Sequence, residues 1–491
     1  MKLRTSTKES SLATTIYLAA TTDQLPNDTA LVATFAQLSP QTHGLNIGEQ
    51  GELRYCLRVD PEAGYEKWLE AARLLSHQSC KHWSEDLVLD SYLDGEDSPL
   101  LSAVVGGLSL GRYRPGKWKS EALTNQPTFN FYVRKKGKTA IGNSSTDPLL
   151  GTTEAEAVAT KAIRQSLLLA EVELRMMDLV NAPANKKRPQ DLARWAEDSA
   201  RTYNYQATIY DKQTCVEMGM DALLAVNRGS EDGAQLIVLE YRGKGVAEGA
   251  PTALVGKGVT FDTGGLSIKP ATNMHLMKSD MGGAAAVLGT MEAAARLALP
   301  VHLVGIVPAT DNSVDALSIK PSDVINSYSK KTIEIIDTDA EGRLILSDGL
   351  AYVIKHFSPV RIISLATLTG SAVRTFGYYC AALFSKDEQL ARSLQKAGDQ
   401  TGQRCWPLPP WDDYATHLKS DVADIKNYSG KPISGAIDAF KFLEFFTDDH
   451  PHYAHLDIAG TALKAGPYAS DRQATAYGLR LLIEWLGSKQ E

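Results

Sequence analysis

Apolar residues return at helical spacing for about six turns over residues 158–181, VATKAIRQSLLLAEVELRMMDLVN. The spacing predicts a long helix. It stops before Asn181-Ala182-Pro183-Ala184-Asn185, where Pro183 disfavours helix at the preceding residue. Downstream, AQLIVLEYR, TALVGKG, VHLVGIVPA, TIEIIDTD, RIISLATLTG and YAHLDIAG read as strands. QDLARWAEDSARTY, GAAAVLGTMEAAARLA, RLILSDGLAYVIKHF and GLRLLIEWL read as helices. This alternation predicts a layered α/β domain with a mixed, largely parallel sheet. Upstream, short apolar runs (TALVATFAQL, SAVVGGLSLGRY, PTFNFYVR) mix with the amphipathic stretch YEKWLEAARLLSHQ. They predict a small α/β domain. The polar segment GNSSTDPLLGTTEAEA separates it from the long helix. The expected organisation is an N-terminal α/β domain over 1–150, a linker with the long helix over 151–181, and a larger α/β domain over 182–491.

Composition changes this picture little. The 491 residues carry a net charge of −7, with 43% hydrophobic and 22% charged residues, as in an ordinary soluble protein. The mildly acidic balance argues against broad nucleic-acid binding. Cys56, Cys80, Cys215, Cys380 and Cys405 are scattered and form no CxxC pair, so neither a disulfide framework nor a zinc finger is expected. Threonines interrupt the apolar part of the opening MKLRTSTKESSLATTIYLAATT, which lacks a signal-peptide core. The apolar stretch from Ala284 contains Glu292 and Arg296, as in a core helix rather than a membrane span. The expectation is a cytoplasmic chain with no membrane or nucleic-acid partner.

Chemistry concentrates at the predicted strand ends, where ligands collect in open α/β sheets. VGKGVTFDTGG, 255–265, carries Lys257 between two glycines, then Asp262, with Lys269 soon after. In MKSDMGGAAA, 277–286, Asp280 precedes a helix, and alone reads best as an N-cap. In DTDAEGRL, 337–344, Asp337, Asp339 and Glu341 alternate. If the chain stays extended there, all three share one face. Buried carboxylates need cations. Lysine or arginine could serve, but Asp262, Asp280, Asp339 and Glu341 together carry the charge of two divalent ions. Oxygen-rich sites favour Mg²⁺, Mn²⁺ or Zn²⁺.

VGKGVTFDTGGLSIKP, LMKSDMGGAAA, DTDAEGRL and LATLTG together resemble the leucyl aminopeptidase (cytosol aminopeptidase) family, over roughly residues 180–485. The resemblance implies a dinuclear aminopeptidase that releases N-terminal residues, leucine-like ones preferred, by attack of a metal-bridged hydroxide. Lys257, Asp262, Asp280, Asp339 and Glu341 would hold two ions, Mn²⁺ or Zn²⁺, with Mg²⁺ a further candidate. Lys269 would polarise the scissile carbonyl. Arg343 would anchor a bicarbonate that shuttles the proton. Thr367, Leu368 and Gly370 would line the substrate cleft, and Met277, Ala459 and Ala462 the pocket for the first side chain. Peptides with a free N-terminus would be the substrates, and the family pattern implies a homohexamer.

Three positions depart from that pattern. Asp337 replaces an Asn, Thr263 replaces a Ser, and the loop Asp311 to Ala316 lacks an Asn-Met-Pro-rich run. None removes an implied ligand. Two other classes fit less well. A two-metal phosphoesterase would not need Lys257 and Arg343 at this spacing. A catalytically silent scaffold would not need every implied ligand. Trp406 and Trp411 read as packing or subunit contacts.

Overall fold

The computed structural model describes residues 14–48, 51–92, 98–120, 130–135, 138–141 and 154–488. Residues 1–13 and the polar stretch 142–153 lie outside them. Two compact units result, one of residues 1–174 with 467–470, the other of 175–466 with 471–491. Their division falls inside the helix Glu154–Asn181.

The first unit holds a six-stranded sheet, in the order Thr42–Ile47, Leu53–Arg58, Thr14–Ala19, Asp86–Ser91, Asn130–Lys135 and Lys138–Ile141. The amphipathic stretch forms the helix Tyr65–Ser79, and the apolar run near residue 100 forms Ser98–Leu110. Their inner faces bury Leu75, Val104 and Leu108 in one core with Ile16 and Leu18 of the sheet. TALVATFAQL is also helical, Thr29–Ala36, with the Asp28 carboxylate accepting from the N–H groups of Ala30 and Leu31.

The second unit is built on a nine-stranded sheet. Its path runs Cys405–Pro407, Ala381–Ser385, Tyr453–Asp457, Arg361–Ala366, Thr252–Gly256, His302–Asn312, Gln235–Arg242 and Gln206–Tyr210. Gly258–Asp262 pairs with the far end of His302–Asn312. The strands Thr252–Gly256, Arg361–Ala366 and Tyr453–Asp457 pair in parallel, whereas Gln206–Tyr210 and Gln235–Arg242 run antiparallel at one side. The central strands are buried almost throughout, as expected where helices cover both faces. The helices Pro189–Tyr203, Gly282–Arg296 and Glu341–Phe357 follow the predicted segments.

One expectation changes. TIEIIDTD does not run as a strand into the acids. Only Thr332–Glu334 is extended, and it belongs to a separate three-stranded sheet with Val324–Asn326 and Ile425–Lys426. Asn427 ends the ladder. Its side-chain oxygen accepts from the N–H groups of Ile336 and Asp337, and its amide donates to Asp337 O. A side chain thus stands where the neighbouring strand would continue, and the chain turns.

Candidate active site

Four segments converge at the carboxyl ends of the central strands. Lys257 lies between the strands Thr252–Gly256 and Gly258–Asp262. Its N–H donates to Leu365 O at 3.1 Å and its carbonyl accepts from Ala284 N–H at 2.8 Å. The backbone is therefore held from two sides, and the buried side chain points to the acids. Asp262 ends the next strand. Gly264 and Gly265 follow with φ of +88° and +63°, a region that disfavours a Cβ. This turn lets Gly264 N–H reach Asp262 Oδ1 at 2.8 Å. Asp280 closes the short 3₁₀ segment Met274–Ser279.

Asp339 and Glu341 arrive by a turn. Ala340 N–H donates to Asp337 O, and Asp339 N–H to Asp337 Oδ1 at 2.8 Å. Glu341 is the first residue of the helix Glu341–Phe357, where the helix dipole favours a carboxylate. At Gly342 an added Cβ would lie 2.6 Å from Lys257 Cε, so only glycine leaves room for that side chain.

Asp262, Asp280 and Glu341, all buried, each offer an oxygen, and these atoms lie within 4.8 Å of one another. Lys257 Nζ stands 2.6 Å from Asp280 Oδ2 and 2.8 Å from Glu341 Oε1. Lys269 Nζ stands 2.7 Å from Asp262 Oδ2 and also pairs with Asp339. Two ammonium groups face four acids, so positive charge is short. Burial first, then Asp262 and Glu341, push Asp280 up to about 7 and Asp339 to about 8, against the relief from Lys257 and Lys269. Glu341 rises for the same reasons, burial and Asp262 outweighing the two lysines. Burial opposes the charge on both lysines, yet the surrounding carboxylates hold them protonated, above the ordinary lysine value.

The donor set fits a divalent cation. Its oxygens are hard donors, and Glu341 Oε2 is buried with no hydrogen-bond partner among the described residues. Asp280 Oδ2 is close to Lys257 but outside hydrogen-bonding geometry. The unpartnered Glu341 Oε2 is costly to leave so.

These groups line one cavity of about 540 Å³, which the remaining sequence-predicted residues Arg343, Met277, Thr367, Leu368, Gly370, Ala459 and Ala462 also border. Thr367 does more than line it. Its hydroxyl donates to Asp280 Oδ1 at 2.6 Å, and its carbonyl accepts from Lys257 Nζ at 3.1 Å. Arg343 is buried, and burial lowers its guanidinium below the ordinary value. Nη1 donates to Asn427 O at 2.7 Å, while Nε has no hydrogen-bond partner among the described residues. The unpaired, buried Nε leaves a donor for an anion.

Sequence reasoning missed the groups that orient these residues. Asn312 donates to Asp262 Oδ1 at 2.8 Å and to Thr338 O at 3.1 Å. Asp457 accepts from the N–H groups of Leu368, Thr369 and Ala459 and from the Thr369 hydroxyl, fixing the cleft backbone. Both residues end strands of the main sheet, and that position was the available signal. Trp406 and Trp411 are 57% and 62% exposed, so neither serves the core of this chain.

The model of the cytosol aminopeptidase family, catalytic domain, matches residues 175–483. A "Probable cytosol aminopeptidase" from Chlorobaculum tepidum is 44% identical over 387 residues, 79% of this chain and 75% of that protein. One of the same name from Geobacter sp. (strain M21) is 45% identical over 370 residues, 75% of this chain and 74% of its own length. The solved structure of the bottromycin maturation enzyme BotP in complex with Mn superposes with a TM-score of 0.83 at 29% identity, covering 97% of this chain and 99% of that one. With the family model spanning the whole site and these relatives matching most of the chain, the protein belongs to the cytosol aminopeptidase family and is a metal-dependent aminopeptidase, a hydrolase.

Proposed function

We propose that the cluster holds two divalent cations, Mn²⁺ or Zn²⁺ with Mg²⁺ as a third candidate, and that the chain removes leucine-like residues from the free amino end of peptides. The observation that carries this reading is the excess of buried acid: four carboxylates against two ammonium groups, with Glu341 Oε2 unpartnered. Asp262, Asp280, Asp339 and Glu341 would hold the ions, joined by Lys257. When bound, the ions supply Lewis-acid charge that polarises a carbonyl and makes water nucleophilic near neutral pH. Lys257 Nζ must release its proton to act as a donor atom, and it can do so once the acids face cations in its place. Lys269 stays protonated and meets the scissile carbonyl oxygen, where a preorganised charge favours the transition state. Arg343, with its free Nε, holds a small anion such as bicarbonate that accepts and returns a proton. Met277, Ala459 and Ala462 receive the first side chain, while Thr367, Leu368 and Gly370 supply the cleft backbone. A homohexamer belongs to the same reading, and sedimentation at the mass of six chains is its direct measure.

One experiment tests the chemistry. Chelation should abolish hydrolysis of leucyl-p-nitroanilide, and Mn²⁺ or Zn²⁺ should restore it, with two ions per chain by elemental analysis. N-acetyl-leucyl-p-nitroanilide should remain inert throughout, because its blocked amine cannot reach the cluster. Equal turnover of the two substrates, or full activity in metal-free protein, would overturn the reading.

A further inference from the structure

The cavity is divided electrostatically. Three of its acids, Asp262, Asp280 and Glu341, are buried close together, and Asp337 turns one oxygen to Asp339 N–H. Its cations fall into two groups. Lys257, Lys269 and Arg343 are engaged with the acids or with Asn427 O. Arg472 donates to Tyr378 OH at 3.2 Å, and its guanidinium stands 5.4 Å from that ring. Arg374 and Lys431 are different. Both border the cavity, and among the described residues neither side chain forms a hydrogen bond or ion pair.

These two occupy one wall. Arg374 lies on the helix Gly370–Phe376 and reaches back over its start, where a Cβ on Gly370 would sit 3.4 Å from Arg374 Nη1. Lys431 lies in the loop before the helix Gly435–Phe445. Gly435 brings that loop against the same short helix, its Cβ position 3.3 Å from Ser371 Cβ.

We infer that this wall selects peptides with a carboxylate on the leaving side of the scissile bond. The inference rests on the aminopeptidase reading above. With the amine at the acid cluster and the first side chain toward Met277, Ala459 and Ala462, the second residue extends along the remaining lining, which includes Arg374 and Lys431. A carboxylate there meets a guanidinium fork and an ammonium group that have no competing partner. Two sources supply that group: the terminal carboxylate of a dipeptide, or an Asp or Glu side chain in second position.

The test compares matched substrates on the metal-loaded enzyme. Leu-Gly against Leu-Gly-amide reports the terminal carboxylate, and Leu-Asp-amide against Leu-Asn-amide the side chain. In at least one pair, kcat/KM should favour the acid by about three- to tenfold, the range of one or two solvent-facing ion pairs. High salt should shrink that ratio. In the double variant Arg374→Gln, Lys431→Gln it should fall toward one. Ratios near one for both pairs in the wild type would overturn the inference, as would a preference that the double variant keeps. Absence of turnover on all four substrates would instead overturn the aminopeptidase reading, and this inference with it.

Discussion

Asp337 shows how a single carboxylate can look like part of a metal site and serve the backbone. It stands two residues from Asp339 and borders the same cavity. Its Oδ1 nevertheless accepts Asp339 N–H at 2.8 Å, the bond that shapes the turn delivering Asp339 and Glu341. An amide oxygen can accept the same bond. Asp337→Asn should therefore keep kcat and leave the acidic limb of the kcat/KM profile in place. Asp337→Ala removes the acceptor and should lower Mn²⁺ affinity measurably by calorimetry, because the turn loses a bond worth about 1 kcal/mol. A limb that moves to lower pH in Asp337→Asn would mean that the carboxylate acts on the reacting groups directly. The alternation of DTDAEGRL suggested three acids on one strand face. The chain could not express that pattern, because Asn427 caps the ladder and the period of two ends at Glu334. Nothing in the octapeptide itself points to a residue 90 positions away.

The helix Glu341–Phe357 is the element on which the site turns. It begins with Glu341, carries Arg343 on its first turn, and needs Gly342 between them to admit Lys257. Gly342→Ala should leave the fold intact, since the obstructing atoms belong to a long side chain. It should displace Lys257 from Asp280 and Glu341. The expected result is a fall in Mn²⁺ affinity of about tenfold or more, as is typical when a neighbouring group shifts a ligand, with little change in thermal midpoint. Unaltered affinity would show that Lys257 takes no part in ion binding. At this scale much was legible from sequence. The runs giving Gln235–Arg242, Thr252–Gly256 and Arg361–Ala366 are dense in branched apolar residues, and both faces are indeed buried. Ala381–Ser385 was not legible. AALFS is short and has no alternation, since it lies between two other strands and is covered throughout. TALVATFAQL and SAVVGGLSLGRY were equally ambiguous, because an apolar run without clear period fits a buried helix or a buried strand. The acids that cluster in the cavity could be picked out in the sequence, but Asn312 and Asp457, which orient Asp262 and the cleft backbone, lie in segments far away in sequence and became visible only when the strands aligned.

For the whole molecule, the buried polar network between two central strands sets the response to acid. His455 Nδ1 lies 2.8 Å from Ser364 Oγ, which also meets Tyr453 OH at 2.8 Å. Burial, then the charge of Arg343, pushes the imidazole down from the ordinary 6.5 to about 3. In the unfolded chain the same ring takes up a proton below about 6.5. Between those values the unfolded state binds more protons, so stability is full above about 6.5 and is lost as pH falls toward 3. The slope is about 1.4 kcal/mol per pH unit, or roughly 2 kcal/mol between pH 7 and pH 5. His455→Gln should reduce the stability difference between those two pH values by that amount, read from denaturant midpoints. An unchanged difference would place the acid sensitivity elsewhere.

The order of strands has a further consequence, for synthesis on the ribosome. Thr252–Gly256 pairs with Arg361–Ala366, whose first residue follows about 110 residues later. At a translation rate of about 5–20 residues per second, that partner emerges on the order of 5–20 s after it. Throughout that interval one flank of an apolar strand, the one that leads into Lys257, has no native neighbour. Nascent chains of this length should therefore be a natural client for a holding chaperone, and release of a folded catalytic unit must wait until the strand ending at Ala366 has cleared the exit tunnel.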